Sequence, residues 1–432
     1  MLGNMYTDRI KFLLSRFRER LWVKPLAVCL LSIAAAFIAK LADDTRLIDI
    51  VPSITSDAIE TLLSIMASSM LVIATLSVTS MVSAYASASS TATPRSFSLV
   101  VADDASQNAL STFVGAFIFS IVALTAVKNN YFQNAGIFIL FVLTITVFTL
   151  VIFMFVRWVD RIARLGRIIS TIDKVEYATK NAFIVRKRAP TLCGVAVKSE
   201  KQGEPIYARC VGYIQHIDIE AIDKWASKAE VRVAVATLPG TFTAPDRPLA
   251  YVYSPDGKLQ EDNFDCLIDS FQIGGNRVFD NDPRFGLIVL SEIASKALSP
   301  AVNDPGTAID VIGTLLRLFT QWNEPVDKDE IKPNCYKNVE VPEIMVEDMF
   351  DDAFTAIARG GAGLVEVSIR LQKTLVSLAS LKDFEGNEGN NHEMKEAAEY
   401  YSRLALKRSK LAMSIEEDYL AVEKATKFNS AD

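Results

Sequence analysis

The sequence predicts an α-helical membrane protein with four transmembrane helices and a C-terminal cytoplasmic α+β domain, in which a small β module precedes a helical bundle. Three observations predict it. Half of the 432 residues are hydrophobic and only 22% are charged. Mean hydropathy is positive, at +0.23, where soluble domains usually sit near or below zero. The excess is confined to the first 156 residues, and beyond Arg157 the chain has the composition of an ordinary soluble domain.

The same arithmetic excludes several classes. A disordered chain, a fibrous repeat and a nucleic-acid binder with a large basic excess do not fit this hydropathy and a net charge of -6. No nucleic-acid partner is expected. Five cysteines without a CxxC or regular spacing make no disulfide framework, so reduced thiols are expected. His216 and His392, the two histidines, are far apart, so no His-rich metal site is expected.

Four apolar runs define the spans: Leu21–Ala39, Thr61–Tyr85, Ala109–Val127 and Gly136–Val156. Each approaches or exceeds the ~20 residues that cross a ~30 Å hydrocarbon core. The expected layout is a basic N-terminus (1–20), a membrane domain (21–156), an amphipathic linker helix (157–189), a β-rich module (190–260) and a helical domain (261–432). Charge placement sets orientation. Arg9, Lys11, Arg16, Arg18 and Arg20 precede the first span, and Arg157, Arg161, Arg164 and Arg167 follow the fourth. The loop between spans one and two is acidic, with Asp43, Asp44, Asp49, Asp57 and Glu60. Both termini are therefore expected in the cytoplasm. The AAAFIAK stretch resembles a signal-peptide cleavage region, but a long basic leader and three further spans favour an uncleaved first helix.

The second span carries Ser64, Ser68, Thr75, Thr79, Ser83 and Ser87 as a hydroxyl stripe, with Ala67, Ala74 and Ala84 among them. Two readings stand side by side: close helix packing through small and hydroxyl residues, and the lining of a hydrated pathway. Lys24 lies near an end of its span and no Asp or Glu lies mid-span, which argues against proton-coupled transport. Phe117, Phe119, Phe138, Phe141, Phe148, Phe153 and Phe155 are expected to face lipid.

The segment Asp160–Tyr177 has apolar residues at helical spacing, and its basic positions suit a helix on the inner membrane surface. Gly194–Val197, Tyr207–Ile214, Val231–Thr237 and Leu249–Tyr253 read as strands, with a helix over Ile219–Ala229 capped by Asp218. Cys193 and Cys210 are expected as core thiols. Helices follow over Phe285–Leu298, from Asp304-Pro305 to about Phe319, Val346–Arg359, Leu364–Leu381 and His392–Lys427. Gln321–Pro342 reads as a loop and Asp383–Asn391 as a turn.

The densest polar segment is Gly274–Thr307, with Arg277, Asp280, Asp282, Arg284, Glu292, Ser299, Asn303 and Asp304. It admits three readings: a capping and salt-bridge network, a site for a small anionic ligand, or a carboxylate site for a divalent cation. GxSxG, the phosphate-binding GxxxxGK[ST], HExxH and GxGxxG are all missing, so neither a catalytic activity nor a cofactor is expected.

The segment RVFDNDPRFGLIVLSEIASKALSPAVNDPGTA, with TPRSF (Thr93–Phe97), QNALSTFVGAF (Gln107–Phe117), GYIQHID (Gly212–Asp218) and PGTF (Pro239–Phe242), resembles the bacterial family of predicted membrane proteins called domain of unknown function 2254. The resemblance covers nearly the whole chain and is most specific in Ala297–Ala308. It implies the same layout of spans and cytoplasmic domain. It marks Arg277, Asp280, Asp282, Phe285, Glu292, Ser299, Asn303, Asp304 and Pro305 as motif positions, without roles. Phe119 and Val278 depart from the Tyr and Thr usual in the family.

Two functions are carried forward: an oligomeric ion or small-solute channel with a cytoplasmic regulatory domain, its pore lined by Ser64, Ser68, Thr75, Thr79 and Ser83, or a membrane-anchored ligand-binding or scaffold protein. A homo-oligomer in the lipid bilayer is expected for the first.

Overall fold

A computed structural model describes residues 23–427 apart from 42, 44–51, 53, 102–103, 163–166, 198–202, 255–263 and 382–387. The basic residues before the first span, most of the acidic loop and the predicted turn before Glu388 lie outside the described residues. The chain divides into two compact units, Met1–Thr171 and Ile172–Asp432.

The N-terminal unit is helical: α1 (Val23–Leu41), α2 (Ser56–Thr91), α3 (Phe97–Val101), α4 (Asp104–Lys128) and α5 (Asn134–Ile162). Among the described residues three stretches are long and apolar enough to cross a membrane: Ser56–Ser87 in α2, Ser106–Lys128 in α4, and α5. The predicted first span falls on α1, whose described apolar stretch, Val23–Ala34, is shorter.

The helices pack through small residues. A Cβ at Gly115 of α4 would stand 2.3 Å from Val28 Cγ1 of α1, so only glycine permits this approach. One apolar core joins Ile59 and Leu63 of α2 to Phe119 and Ala123 of α4 and Leu140 of α5. A second joins Met70 and Ala74 to Phe113, Ala116, Val151 and Trp158. Phe119 is therefore a core residue rather than lipid-facing bulk, at 1% exposure. Phe148 and Phe153 do lie on the outer face of α5. The TPRSF motif lies between α2 and α3, where Ser96 Oγ donates to Thr93 O (2.8 Å), and QNALSTF lies in the first turns of α4, where Ser111 Oγ donates to Gln107 O (2.6 Å).

At the other end of this unit Asp43 caps α5 from 90 residues away in sequence. Its Oδ2 accepts the Gln133 amide at 2.9 Å and its Oδ1 the Gly136 amide at 2.6 Å, with Lys40 Nζ at 3.2 Å. Burial pushes the Asp43 carboxyl up, but the two amides and Lys40 outweigh it and hold it below its ordinary value.

The C-terminal unit begins within α6 (Ile168–Arg188) and continues β1 (Gly194–Ala196), β2 (Glu204–Tyr207), β3 (Gly212–Ile217), α7 (Ile219–Lys228), β4 (Arg232–Val235), β5 (Phe242–Thr243), β6 (Pro248–Tyr253), α8 (Asp265–Asp269) and β7 (Phe271–Gly274). There follow α9 (Pro283–Ala297), α10 (Pro305–Asn323), β8 (Tyr336–Val341), α11 (Val346–Gly360), α12 (Val365–Ala379), α13 (Glu388–Ala412) and α14 (Glu416–Lys424). One sheet has the order β1-β8-β4-β6-β2 and the other β5-β3-β7. In the first, β1, β8 and β4 run parallel, and β6 and β2 are antiparallel additions. Ile222, Trp225 and Ala226 of α7 share a core with Val233, Val235, Leu249, Val252 and Val339.

Several expectations are corrected here. The sheet is not confined to residues 190–260, because β8 lies inside the expected loop Gln321–Pro342 and sits between β1 and β4. Its polar spelling, YKNVEV, hides a buried half in which Glu340 accepts a bond from Tyr253 Oη (2.6 Å). The predicted strand Tyr207–Ile214 is two elements, β2 and β3, in different sheets. The single C-terminal helix is two, α13 and α14. Cys193 lies beside the entry to β8, with Tyr336 N donating to its carbonyl (3.1 Å), and Cys210 is exposed.

The linker helix is also reassigned. Ile172, Val175, Ala182 and Phe183 of α6 are buried in the C-terminal unit. Thr179 crosses α9 at Gly286, where a Cβ would lie 1.7 Å from Thr179 Oγ1. Phe183 packs edge-on against Trp322 of α10 at 5.0 Å, and Lys187 Nζ caps the end of α10 through the Gln321 and Glu324 carbonyls. The helix expected at the membrane surface thus packs much of its apolar face on protein.

Candidate functional site

The long motif 274–307 resolves into two places. Asp282 caps α9 through the Phe285 amide (3.2 Å), with Pro283 in the first turn. Asp304 caps α10 through the Thr307 amide and hydroxyl (3.1 and 2.6 Å), which hold its carboxyl below the ordinary range. Since α9 has 15 residues at 1.5 Å each, these caps stand on the order of 20 Å apart. Ser299, Asn303 and Asp304 form the turn between α9 and α10. Asn303, at φ 50°, donates its amide to Ser299 O (2.8 Å), and the Asp304 amide donates to Ala297 O (2.8 Å). Asn tolerates this left-handed conformation. Glu292 is half-buried in mid-α9, and Asp280 is exposed.

At the first end, segments distant in sequence converge. Arg277 grips Asp282 with two bonds, Nε to Oδ2 at 2.6 Å and Nη2 to Oδ1 at 2.9 Å. Its guanidinium lies over the Phe285 ring, 5.5 Å from the centroid. Arg284 joins Asp352 (2.6 Å) and Asp348 (2.5 Å) on α11. Gln215 Nε2 donates to Asn276 O (2.7 Å), the Gly240 amide donates to Ile214 O (2.7 Å), and Asn281 Nδ2 lies 3.4 Å from His216 Nδ1. The GYIQHID and PGTF motifs therefore brace the Arg277–Asp282 pair. Removing either partner of such a buried pair costs about 3–5 kcal/mol.

These groups border a cavity of 430 Å³. Its wall is built from residues 236–241, which follow β4, and residues 342–345, which follow β8, together with Arg277, Asp282, Arg284 and Asp348. The cavity thus lies off the carboxyl ends of two adjacent parallel strands, where open α/β sheets bind ligands. The N-terminus of α11 opens there, and its N-cap Met345 provides no side-chain cap, so the first-turn amides are available as donors. Behind the wall, Arg186 of α6 donates from Nη2 to Asn281 O (3.4 Å). Burial pulls its guanidinium down to about 10, opposed by Asp282. Burial raises the Asp282 carboxyl, against the pull of Arg277.

Among the described residues no group of three or more His, Cys, Asp or Glu could hold a metal ion. Sequence reasoning found Arg277, Asp282 and Arg284 but missed Asp348, Asp352 and Arg186. Asp348 and Asp352 could have been found as an i,i+4 carboxylate pair in VEDMFDD. Arg186 sits unmarked in the basic run VRKR, and the PGTF motif marked Gly240 without showing its contact with Asp282.

On α2, the predicted hydroxyl stripe is exposed throughout: Ser64, Ser68, Thr75, Thr79 and Ser83 all lie on the outer face, while Ala67, Ala74 and Ala84 are buried. Ser68, Thr75 and Thr79 each donate to the carbonyl four residues earlier, at 2.7–3.0 Å.

Helices of membrane-spanning length in one unit, and an ion-paired, ligand-sized cavity in the other, define a membrane protein with an α/β companion domain. The chain belongs to the family described as predicted membrane protein (DUF2254), which matches residues 18–377. It is similar to an uncharacterized protein of Mycobacterium tuberculosis and to one of Mycobacterium bovis, each 32% identical over 111 residues, or 25% of this chain and 21% of the relative. The matched stretch is thus about a fifth of the length of these curated relatives. No solved structure matches.

Proposed function

We propose that this protein is an oligomeric channel for an ion or small solute in the bacterial inner membrane, regulated through its C-terminal unit. The observation that carries the reading is the outward face of α2, where Ser64, Ser68, Thr75, Thr79 and Ser83 align while the alanine face packs inward. A hydroxyl bonded to its own backbone can still accept from water, so such a face suits a hydrated path as well as a helix contact. One copy has too few helices to enclose a path, so copies assemble symmetrically with α2 at the axis. In this reading α1 is a fourth span. The acidic residues Asp43, Asp57 and Glu60 lie outside, and Arg157, Arg161 and Arg167 lie inside with both termini. The chain acts by binding and permeation rather than by catalysis.

A second reading, a membrane-anchored ligand-binding protein without transport, is favoured by the cavity beside β4 and β8. Purified protein in liposomes separates the two. Ion or solute flux above that of empty vesicles supports the channel. Binding at the cavity with no flux under any ligand leaves the anchored binder.

A further inference from the structure

Two guanidiniums, half-buried Arg277 and buried Arg186, lie near one buried carboxylate, and only Arg277 is bonded to it. Asp282 is 2% exposed and accepts both in-plane donors of Arg277. Arg186 on α6 is 4% exposed, and its Nη1 is buried without an acceptor among the described residues. Its other terminal nitrogen reaches only the carbonyl of Asn281, the residue next to Asp282.

The cavity side of the same pair has donors to spare. Arg277 bonds protein through Nε and Nη2, and Arg284 through Nε and Nη1. Among the described residues Arg277 Nη1 and Arg284 Nη2 take no protein acceptor. With the uncapped amides of α11 they make a donor set for an oxyanion. Charge limits which one. The cavity wall itself carries Arg277 and Arg284 against Asp282, Asp348 and Glu343, with Arg186 and Asp352 outside it and a partial positive charge at the α11 terminus. Such a balance suits a single negative charge and disfavours a polyphosphate.

We propose that the cavity binds the singly charged phosphoryl group of a small soluble ligand, and that this anion draws Arg277 off Asp282, which turns to the unpaired Nη1 of Arg186. Occupancy then changes the bonding of α6, the helix that follows α5 in the chain. The proposal rests on the cavity being a ligand site and adds the chemistry of the ligand and the route of its effect.

Hydrogen–deuterium exchange of the full-length protein in detergent tests it, with inorganic phosphate at mildly acidic pH as the probe. Phosphate at about 10 mM is expected to slow exchange in peptides covering 236–241 and 342–348 and to alter exchange in 180–188 with the same concentration dependence. Arg277→Gln and Arg284→Gln weaken the cavity response about tenfold or more, and either folded variant suffices. Arg186→Gln keeps the cavity response and abolishes that of 180–188. Sulfate, doubly charged, protects less.

A cavity response in wild type without a change in 180–188 overturns the exchange of partners but not the site. No response in either region overturns the site itself. Equal protection by sulfate overturns the single-charge rule. Protection by phosphatidylglycerol in the micelle, but not by phosphate, overturns the soluble ligand.

Discussion

Gly240 lies against the carboxylate of Asp282, so close that a Cβ at 240 would stand 2.2 Å from Oδ2 and 2.7 Å from Arg277 Nη2. Its φ of +93° is also a conformation that L side chains rarely adopt. Gly240→Ala therefore meets both backbone strain and the displacement of an ion pair. A loss of about 3 kcal/mol is expected, adding about 1–2 kcal/mol for the backbone to a similar overpacking cost. Chemical denaturation of the detergent-solubilised protein reads it, and wild-type stability in this variant would contradict the placement of the loop.

Arg277 and Arg186, both near Asp282, should behave oppositely. Arg277→Met leaves a buried carboxylate without its bidentate partner and is expected to cost about 3 kcal/mol. Arg186→Met removes a buried, half-satisfied cation and is expected to be neutral or stabilising. The sign for Arg186 follows from its lowered value. Folding disfavours its charged form, so its penalty is present below about 10 and is relieved only as pH rises through that value. Melting temperatures of the two variants at neutral pH decide the matter.

Gly286→Ala tests the seat of α6. The new methyl would meet Thr179 Oγ1 at 1.7 Å and Thr179 Cβ at 2.8 Å. A loss of about 1–3 kcal/mol is expected. Adding Thr179→Ala should recover only part of it, because the Cβ remains. No recovery in the double variant would place the clash elsewhere.

Asp43 gives a pH signature. Its folded value is depressed, so its contribution is fully present above the ordinary carboxylate value of about 3.9 and is lost as pH falls through the lower folded value. Asp43→Asn should be less stable than wild type by about 1 kcal/mol at neutral pH, and the gap should close on acidification below that range. A gap that is constant in pH would mean that the charge plays no part.

Much of the architecture was legible because the deciding signals were local. Apolar runs marked α2, α4 and α5, and Asp218 and Asp304 marked two helix starts by a capping geometry that needs only neighbouring residues. What failed depended on contacts distant in sequence. β8 alternates too weakly to read as a strand, since its buried Glu340 is satisfied by Tyr253, 87 residues away. The amphipathic α6 read as a helix on the membrane surface because sequence shows that a face is apolar, not what covers it. The site was half legible: Arg277 and Asp282 stand five residues apart, whereas Arg186, Gly240 and Asp352 join them only through the fold.

The face of α2 is the centre of the functional account, and thiol accessibility in liposomes tests it most directly. In a background with the five cysteines replaced, Thr75→Cys should react with a membrane-impermeant thiol reagent far faster than Leu150→Cys, which lies on the outer face of α5. Equal protection of both positions would place the hydroxyl stripe in lipid or in a dry helix contact, and would contradict the hydrated path.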